Sequence, residues 1–251
     1  MLEAVHAHTR LTSAHIRRLF FRRPGGGLAS PQAANVRLRK LVALGLLEPI
    51  VVTGRHGAGP YAYALAPRGR ALLQRLAVGP RRGAPGPVWH YLGIADFRVA
   101  LQGALERRHG ELTEWLGEPA LRGLLRGRTG WPVPDAVVHW RLAAREGTFM
   151  LEWDRGSESL AVVAAKLPRY AAYWRTRGYR ELLPGLGLRP RLAIVLDSKE
   201  RKERMTRWIP EKQRQLGLAT ILVADDASAT KTPLGPVWWR SDTGVEGYLA
   251  E

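Results

Sequence analysis

A run of nine residues, Gly79 to Pro87, contains only glycine, proline, arginine and one alanine, and it divides the chain into two parts. Proline lacks a backbone N–H and fixes its own φ, and glycine leaves the backbone unconstrained, so such a run favours neither a helix nor a regular strand. Both flanking parts are long enough to bury an apolar core. We therefore predict a first domain over residues 1–78, a linker over 79–87 and a second domain over 88–251.

The positive charge of the chain is concentrated in its first third. Residues 1–88 contain 14 basic residues and only two acidic ones, Glu3 and Glu48, whereas residues 89–251 contain 25 basic and 20 acidic residues. A GC-rich genome explains why 33 arginines accompany six lysines, but it does not explain the shortage of acidic residues. A surface of one sign binds polyanions, so we expect nucleic acid as the partner of this region.

Several classes of function and location are disfavoured by what the sequence lacks. The absence of cysteine excludes disulfides, a thiol nucleophile and cysteine-based zinc sites. No stretch approaches about 18 uninterrupted apolar residues, and no signal peptide is visible, so we expect a cytoplasmic protein with no membrane partner. Neither a Walker-type phosphate loop nor a Gly-x-Ser-x-Gly turn occurs, which argues against nucleotide hydrolysis and serine hydrolysis.

Residues 1–78 have the pattern of three helices, a β-hairpin and a closing helix. The helices begin at N-cap residues such as Thr12 and Ser30 and follow an apolar periodicity of 3.6 residues. In chain order the predicted elements are helices 2–8, 14–21 and 31–44, strands 48–53 and 61–65 around a glycine-rich tip, and a helix over 68–77. The residues predicted to face inward are Ile16, Leu19 and Phe20 on the second helix and Ala34, Leu38, Leu41 and Val42 on the third.

This order, with "LRKLVALGLLEP" followed by "PYAYALAPRGRALL", resembles the winged helix-turn-helix superfamily. The resemblance implies that the 31–44 helix lies in the major groove of double-stranded DNA and that the hairpin tip reaches the flanking backbone or minor groove. The DNA-binding candidates are Gln32, Asn35, Arg37, Arg39 and Lys40 on the helix and Arg55 and His56 at the tip. Gln32, Asn35 and Arg39 suit base edges, whereas Arg37 and Lys40 suit phosphates. Winged helices also serve as protein–protein modules, and paired half-sites make a homodimer an arrangement to test.

The second part begins with a long amphipathic helix and continues with strands. The helix is predicted over Val88–Arg108, with Trp89, Leu92, Ala95, Val99 and Leu105 facing inward. After a strand within 111–119, two β-rich runs, 131–142 and 148–154, are spaced as a hairpin. Glu152 and Asp154 are two residues apart, so both carboxylates face the same side of the second run.

The rest of the second part alternates helices and strands. We predict a helix over 160–175, a strand over 192–196, a helix over 199–213 and a strand over 219–224. A strand that follows a crossover helix indicates parallel pairing, so the prediction for this part is an α/β domain and for the whole chain α+β. Lys166 lies on the flank of the 160–175 helix, from which its side chain can lean toward the carboxylates.

Pro134-Asp135 followed by Glu152-x-Asp154, in this order of elements, resembles the PD-(D/E)XK nuclease-like superfamily. The resemblance implies that Asp135 and Glu152 are ligands of Mg²⁺ or Mn²⁺ and that the domain is a metal-dependent nickase or endonuclease. Asp154 stands where that superfamily has its lysine, and Lys166 is the candidate to replace it. The catalytic candidates are accordingly Asp135, Glu152, Asp154 and Lys166.

The two halves together resemble the replication-relaxation protein family of plasmids and integrated mobile elements. The matching signature is a Glu-x-Asp-Arg-Gly-Ser-Glu run followed by Lys-Leu and Tyr, here Glu152 to Glu158, Lys166, Leu167 and Tyr170. The resemblance covers most of residues 1–225 and implies a role in plasmid replication or DNA relaxation. The tail with Trp238-Trp239 matches no pattern that we recognise.

Three alternatives remain open at this point. The second domain is either catalytic or a degenerate nuclease fold in a transcriptional regulator or replication accessory factor. Glu152 and Asp154 can instead form surface ion pairs with Arg155 or Arg141. An RNA-binding protein is a third possibility, which competition with duplex DNA would distinguish.

Overall fold

The structure, a computed structural model, describes residues 1–23, 27–54, 57–75, 87–156, 159–182 and 189–250. The fold is mixed α and β, as predicted, with two sheets among the described residues. The chain forms two compact units, Met1–Val99 and Ala100–Glu251. The predicted linker lies outside the described residues except for Pro87, so the domain boundaries drawn from the sequence stay a prediction.

The first unit contains short helices and a three-stranded antiparallel sheet. Its elements are α1 (Leu2–His8), β1 (Leu11–Thr12), α2 (Ser13–Phe20), α3 (Pro31–Ala43), β2 (Leu47–Gly54), β3 (Gly57–Leu65), α4 (Pro67–Arg75) and the first part of α5 (Val88–Glu106). The strands lie in the order β1-β3-β2. The helices and the hairpin confirm the predicted elements, and β1 is an addition that the sequence did not indicate.

Local sequence explains where these helices begin and end. The Thr12 hydroxyl accepts a hydrogen bond from the His15 backbone N–H, and the His15 ring accepts one from the Thr12 backbone N–H, which together form a capping box. Pro31 occupies the first turn of α3, where its missing N–H costs nothing. Gly45 follows α3 with φ of 67°, a conformation that glycine adopts without strain.

The core of the first unit confirms most of the predicted inward positions. Ile16, Ala34 and Leu38 are fully buried, and Leu19, Leu41 and Val42 pack against the same core. Two predictions were wrong, because Phe20 and Trp89 are 44% and 41% exposed. Both residues lie near the ends of their helices, where the apolar stripe leaves the core.

The second unit is built on one sheet of seven strands among its described residues. Its strands are β4 (Glu111–Gly117), β5 (Ala136–Leu142), β6 (Arg145–Asp154), β7 (Arg191–Leu196), β8 (Ile221–Asp225), β9 (Trp238–Arg240) and β10 (Glu246–Gly247), and its further helices are α6 (Glu118–Leu124), α7 (Leu160–Arg175), α8 (Tyr179–Leu182), α9 (Lys199–Leu216) and α10 (Asp226–Lys231). The order across the sheet is β10-β9-β8-β7-β6-β5-β4. The pairs β6–β7 and β7–β8 are parallel, which confirms the pairing predicted from the crossover helices.

One face of this sheet is covered by α7 and α9. Met150 of β6, Ile194 of β7 and Val223 of β8 share a core with Leu167 of α7 and Met205 of α9. The tail that matched no pattern supplies β9, which extends the sheet beyond β8. Within the described ranges, none of the helices has both the length and the apolar composition that a bilayer crossing needs.

Candidate functional site

The site begins where β5 and β6 bring two carboxylates side by side. Ala136 pairs with Leu151, so the next pair along the antiparallel ladder is Asp135 with Glu152. Asp135 is anchored there, because its Oδ2 accepts a hydrogen bond of 2.7 Å from the Trp153 backbone N–H. The hairpin therefore brings together the Pro-Asp and Glu-x-Asp segments that were singled out from sequence.

Glu152 faces α7, which supplies two partners for its carboxylate. Lys166 Nζ donates to Glu152 Oε2 at 2.9 Å, and the Tyr170 hydroxyl donates to Oε1. Lys166 and Tyr170 are four residues apart, so they project from the same side of α7. Lys166 was expected to lean toward the carboxylates, and the structure has this contact. Tyr170 was noted from the sequence as part of the family signature, but its hydrogen bond to Glu152 was not predicted, although the four-residue spacing from Lys166 was a usable signal.

Burial sets the electrostatics of this group. Glu152 is 7% exposed and Tyr170 is 1% exposed, whereas the Lys166 side chain is 37% exposed. Burial and the neighbouring Asp135 carboxylate raise the pKa of Glu152 to about 7, against the opposing effects of Lys166 and Tyr170. Burial and Glu152 raise the pKa of Tyr170 well above its usual value, so its hydroxyl stays a donor.

Asp154 shares the strand face of Glu152 but is held by a different helix. Its Oδ2 accepts a hydrogen bond from Arg201 of α9, and the Arg201 and Asp154 side chains are only 13% and 7% exposed. Arg201 Nε also lies 3.1 Å from Oδ1 of Asp197, the residue after β7. Asp154, a catalytic candidate from sequence, thus contacts Arg201 between the ends of two parallel strands.

The Asp-Arg-Gly segment after β6 is shaped by the same cluster. Asp154 Oδ1 accepts a hydrogen bond of 2.9 Å from the Gly156 backbone N–H. Gly156 has φ of 74°, and a Cβ at this position would collide with the Asp197 carboxylate. Ser157 and Glu158 of the signature lie outside the described residues.

The surface ion pairs considered for Glu152 and Asp154 involve other residues. Arg155 Nη1 lies 3.1 Å from Oδ2 of Asp226, and Arg141 contacts Glu111. Lys166, Tyr170 and Arg201 hold the two carboxylates instead.

The carboxylate pair fits a magnesium-like ion in the chemistry of its donors. Mg²⁺ and Mn²⁺ prefer oxygen ligands, and Mg²⁺ is often held by one or two carboxylates while it keeps several waters. Asp135 and Glu152 supply two carboxylates, and their mutual repulsion is what a cation would relieve. Across the described part of the chain, no group of three His, Cys, Asp or Glu side chains forms a fuller ligand set.

The predicted DNA-binding residues of α3 share one property, which is exposure to solvent. The exposed set comprises Gln32, Asn35, Arg37, Arg39 and Lys40. The opposite side of the helix is buried through Ala34 and Leu38. Arg55 and His56 of the hairpin tip lie outside the described residues.

Comparison with known proteins identifies the family. The sequence profile of the replication-relaxation family matches residues 2–186, which is well over half of the chain. No curated protein and no solved structure matches the chain. The match spans α3 with its exposed cations and the strands and helix that carry Asp135, Glu152 and Lys166, and the chain belongs to the replication-relaxation family.

Proposed function

We propose that the first unit is a winged helix that binds double-stranded DNA through α3 and the β2–β3 hairpin. The support is the order of its helices and strands, together with the exposed polar and basic face of α3 opposite a buried apolar face. The shortage of acidic residues in residues 1–88 favours a polyanionic partner. Membership of the replication-relaxation family indicates a role in the replication or relaxation of plasmid or mobile-element DNA.

The second unit is, in this proposal, a PD-(D/E)XK-like domain that nicks DNA with the help of Mg²⁺ or Mn²⁺. The single observation that carries the proposal is the contact between Lys166 Nζ and Glu152, next to Asp135. Two carboxylates at the end of the β5–β6 hairpin and a lysine from α7 are groups that suit metal-dependent phosphodiester hydrolysis. Lys166 comes from α7 rather than from β6, where Asp154 occupies the position of the expected lysine.

Each residue of the site has a distinct part in the proposed reaction. Asp135 and Glu152 would hold the cation, which supplies Lewis acidity to the scissile phosphate and makes water a better nucleophile. Lys166, the most exposed of the group, would orient the attacking water and offset negative charge on the phosphate. The water oxygen bonds to phosphorus, the bond from phosphorus to one sugar oxygen breaks, and that oxygen takes up a proton. Tyr170 would fix the Glu152 carboxylate from behind.

A plasmid-nicking assay tests this proposal. Supercoiled plasmid is incubated with the full chain in Mg²⁺, Mn²⁺ or EDTA, beside Glu152→Ala and Lys166→Ala. The matched controls are Glu114→Ala and Lys231→Ala, which remove an exposed carboxylate and an exposed ammonium elsewhere in the unit. We expect metal-dependent open circles from the wild type and both controls, a loss of at least about 100-fold for Lys166→Ala, and a larger loss for Glu152→Ala.

One observation favours a second candidate function, a non-catalytic DNA-binding regulator or replication accessory factor. Both oxygens of Glu152 already accept hydrogen bonds, and the residue is almost fully buried. In that case the same contacts only hold the β5–β6 hairpin against α7, and the second unit serves as a scaffold for a protein–DNA complex rather than as an enzyme. A shifted plasmid band that stays supercoiled under every metal condition would support this candidate and refute the nuclease.

A further inference from the structure

A pocket of about 410 Å³ lies in the first unit between the C-terminal half of α3 and the β2–β3 hairpin. Its lining is mostly apolar and consists of Arg39, Val42, Ala43, Pro49, Tyr61 and Tyr63. This volume falls within the usual range of small-molecule pockets. The pocket therefore has space for a flat ring between a helix and two tyrosines.

The hairpin side of the pocket offers an open aromatic surface. Tyr61 pairs with Val51, and Tyr63 pairs with Pro49. Residues two apart on a strand face the same side, so these four side chains lie on one face of the hairpin. Tyr61 and Val51 are 58% and 51% exposed. Neighbouring apolar side chains that are exposed together beside a pocket mark a candidate binding surface.

The helix side connects the pocket to the proposed DNA-binding face. Gln32, Val36, Arg39 and Ala43 follow one another at spacings of three and four residues, which places them along one line of α3. Val36 is 58% exposed on this line. This line of residues begins at Gln32, a candidate for base readout, and ends at Ala43 in the pocket lining. A nucleic acid bound along α3 would therefore lie next to the opening of the pocket.

Charge selects the class of occupant. With 14 basic and two acidic residues in residues 1–88, a second copy of this region would be repelled, whereas a polyanion would be attracted. Among polyanions, nucleic acids also carry flat rings that stack on tyrosine, and a guanidinium at the rim suits the neighbouring phosphate. Within a duplex, adjacent base pairs cover these ring faces, so a base that enters the pocket has to be unpaired.

We propose that this pocket accepts one unpaired DNA base, stacked on Tyr61, with Arg39, the base-edge candidate on duplex DNA, at an adjacent phosphate of the single strand. The proposal rests on DNA binding by the first unit and adds a single-stranded subsite to the duplex-binding face. A protein that acts on locally opened DNA would use such a subsite to hold one strand apart from its complement.

The test compares three probes on the full chain in EDTA. They are a duplex, a single strand that carries the fluorescent adenine analogue 2-aminopurine, and a matched strand with abasic sites. The abasic strand keeps every phosphate but has no rings to stack. We expect the single strand with 2-aminopurine to bind about 10-fold more tightly than the abasic strand, and its fluorescence to fall on binding.

Variants of Tyr61 locate the effect. Tyr61→Ala should weaken single-strand binding about 10-fold and restore 2-aminopurine emission, and it should weaken duplex binding less, because paired bases do not enter the pocket. Tyr61→Phe keeps the ring and should behave as the wild type. Tyr248→Ala, which removes an exposed tyrosine of the second unit, serves as the matched control.

The outcomes separate this inference from the proposed function. Normal duplex binding with equal affinity for normal and abasic strands would overturn the inference alone. The inference would also be overturned if poly-aspartate displaced the bound single strand as effectively as unlabelled single-stranded DNA does, since a site for acidic peptides would not need bases. Failure of the wild type to bind any DNA would overturn both the inference and duplex binding.

Discussion

Helix α3 of the first unit and the parallel strand ends of the second unit use their cations in opposite ways. In the first unit, Arg37, Arg39 and Lys40 of α3 point into solvent, in a region with few acidic residues. In the second unit, cations next to the parallel strands contact carboxylates of the same unit, as Arg201 does with Asp154 and Lys202 with Glu246. Local charge balance therefore indicates which cations stay exposed to solvent and which are paired within the fold.

The largest expected effect comes from breaking an internal pair of the second unit. Arg201→Ala would leave the carboxylates of Asp154 and Asp197 without their shared cation at a largely buried position. We expect the free energy of unfolding to fall by about 3 kcal/mol, because a buried charge without its partner is costly. Urea denaturation followed by tryptophan fluorescence measures the change.

Arg204→Ala on the same helix is the matched control. Arg204 is exposed, so its loss should change the free energy of unfolding by less than about 0.5 kcal/mol. If Arg201→Ala lowered the free energy of unfolding as little as Arg204→Ala, the Arg201 cation would contribute no more to stability than an exposed one. That result would contradict the contrast between α3 and the parallel strand ends of the second unit.

A smaller effect is expected at Gly156, whose backbone connects Asp154 to the same cluster. Gly156→Ala would force alanine into a positive φ and push its Cβ against Asp197, so we expect a loss of about 2 kcal/mol in urea denaturation. Gly123 lies in α6, where a Cβ would meet nothing within 4 Å, so Gly123→Ala should be neutral or slightly stabilising. Equal effects of the two changes would argue against the strained turn.

The sequence predicted the features that depend on residues close together in the chain, and it did not predict those that depend on residues far apart. The bounds of α3 and α7 depend on local sequence, namely apolar periodicity and, for α3, the proline in its first turn, and both were predicted closely. Glu152 and Lys166 were also found, because strand alternation and helix position restrict where their side chains point. Asp197 and Arg201 were missed, since Arg201 meets Asp154 across 47 residues of chain, a contact that no spacing rule reveals.

A usable signal for part of that cluster was present. Asp197 and Asp225 lie at the C-terminal ends of two strands that were predicted to be parallel, and such ends meet at one edge of a sheet. Strand β9 gave no comparable signal, because its three residues are too few to establish alternation. The assignments of the first unit as a winged helix and of the second as nuclease-like stay proposals.

The units should also differ in the sign of their pH dependence. The pKa of Glu152 is raised to about 7. Its contribution to the free energy of unfolding is therefore most favourable below pH 4.5 and is lost as pH rises toward 7. The pKa of buried His8 lies well below 6.5, because burial and Arg98 disfavour its charged form. The first unit should therefore lose stability as pH falls below 6.5, whereas the second unit should gain stability as pH falls from 7 to 4.5.

Amide hydrogen exchange in EDTA measures the two units separately. Protection of α1 should increase from pH 5 to pH 8, and protection of β6 should decrease, after correction for the intrinsic pH dependence of exchange. His8→Gln should flatten only the first trend and Glu152→Gln only the second. A common sign in both units would contradict the assignment of these two groups.

The most direct test of the contrast between the units is the salt dependence of duplex binding by two lysine variants, measured in EDTA. Lys40 is exposed on α3, whereas the Lys202 ammonium lies 2.6 Å from Glu246 Oε1 in the second unit. Lys40→Ala should reduce the slope of log affinity against log salt by about 1, because one phosphate contact is lost, and Lys202→Ala should leave the slope unchanged. An unchanged slope for Lys40→Ala, or an equal reduction for both variants, would contradict the account.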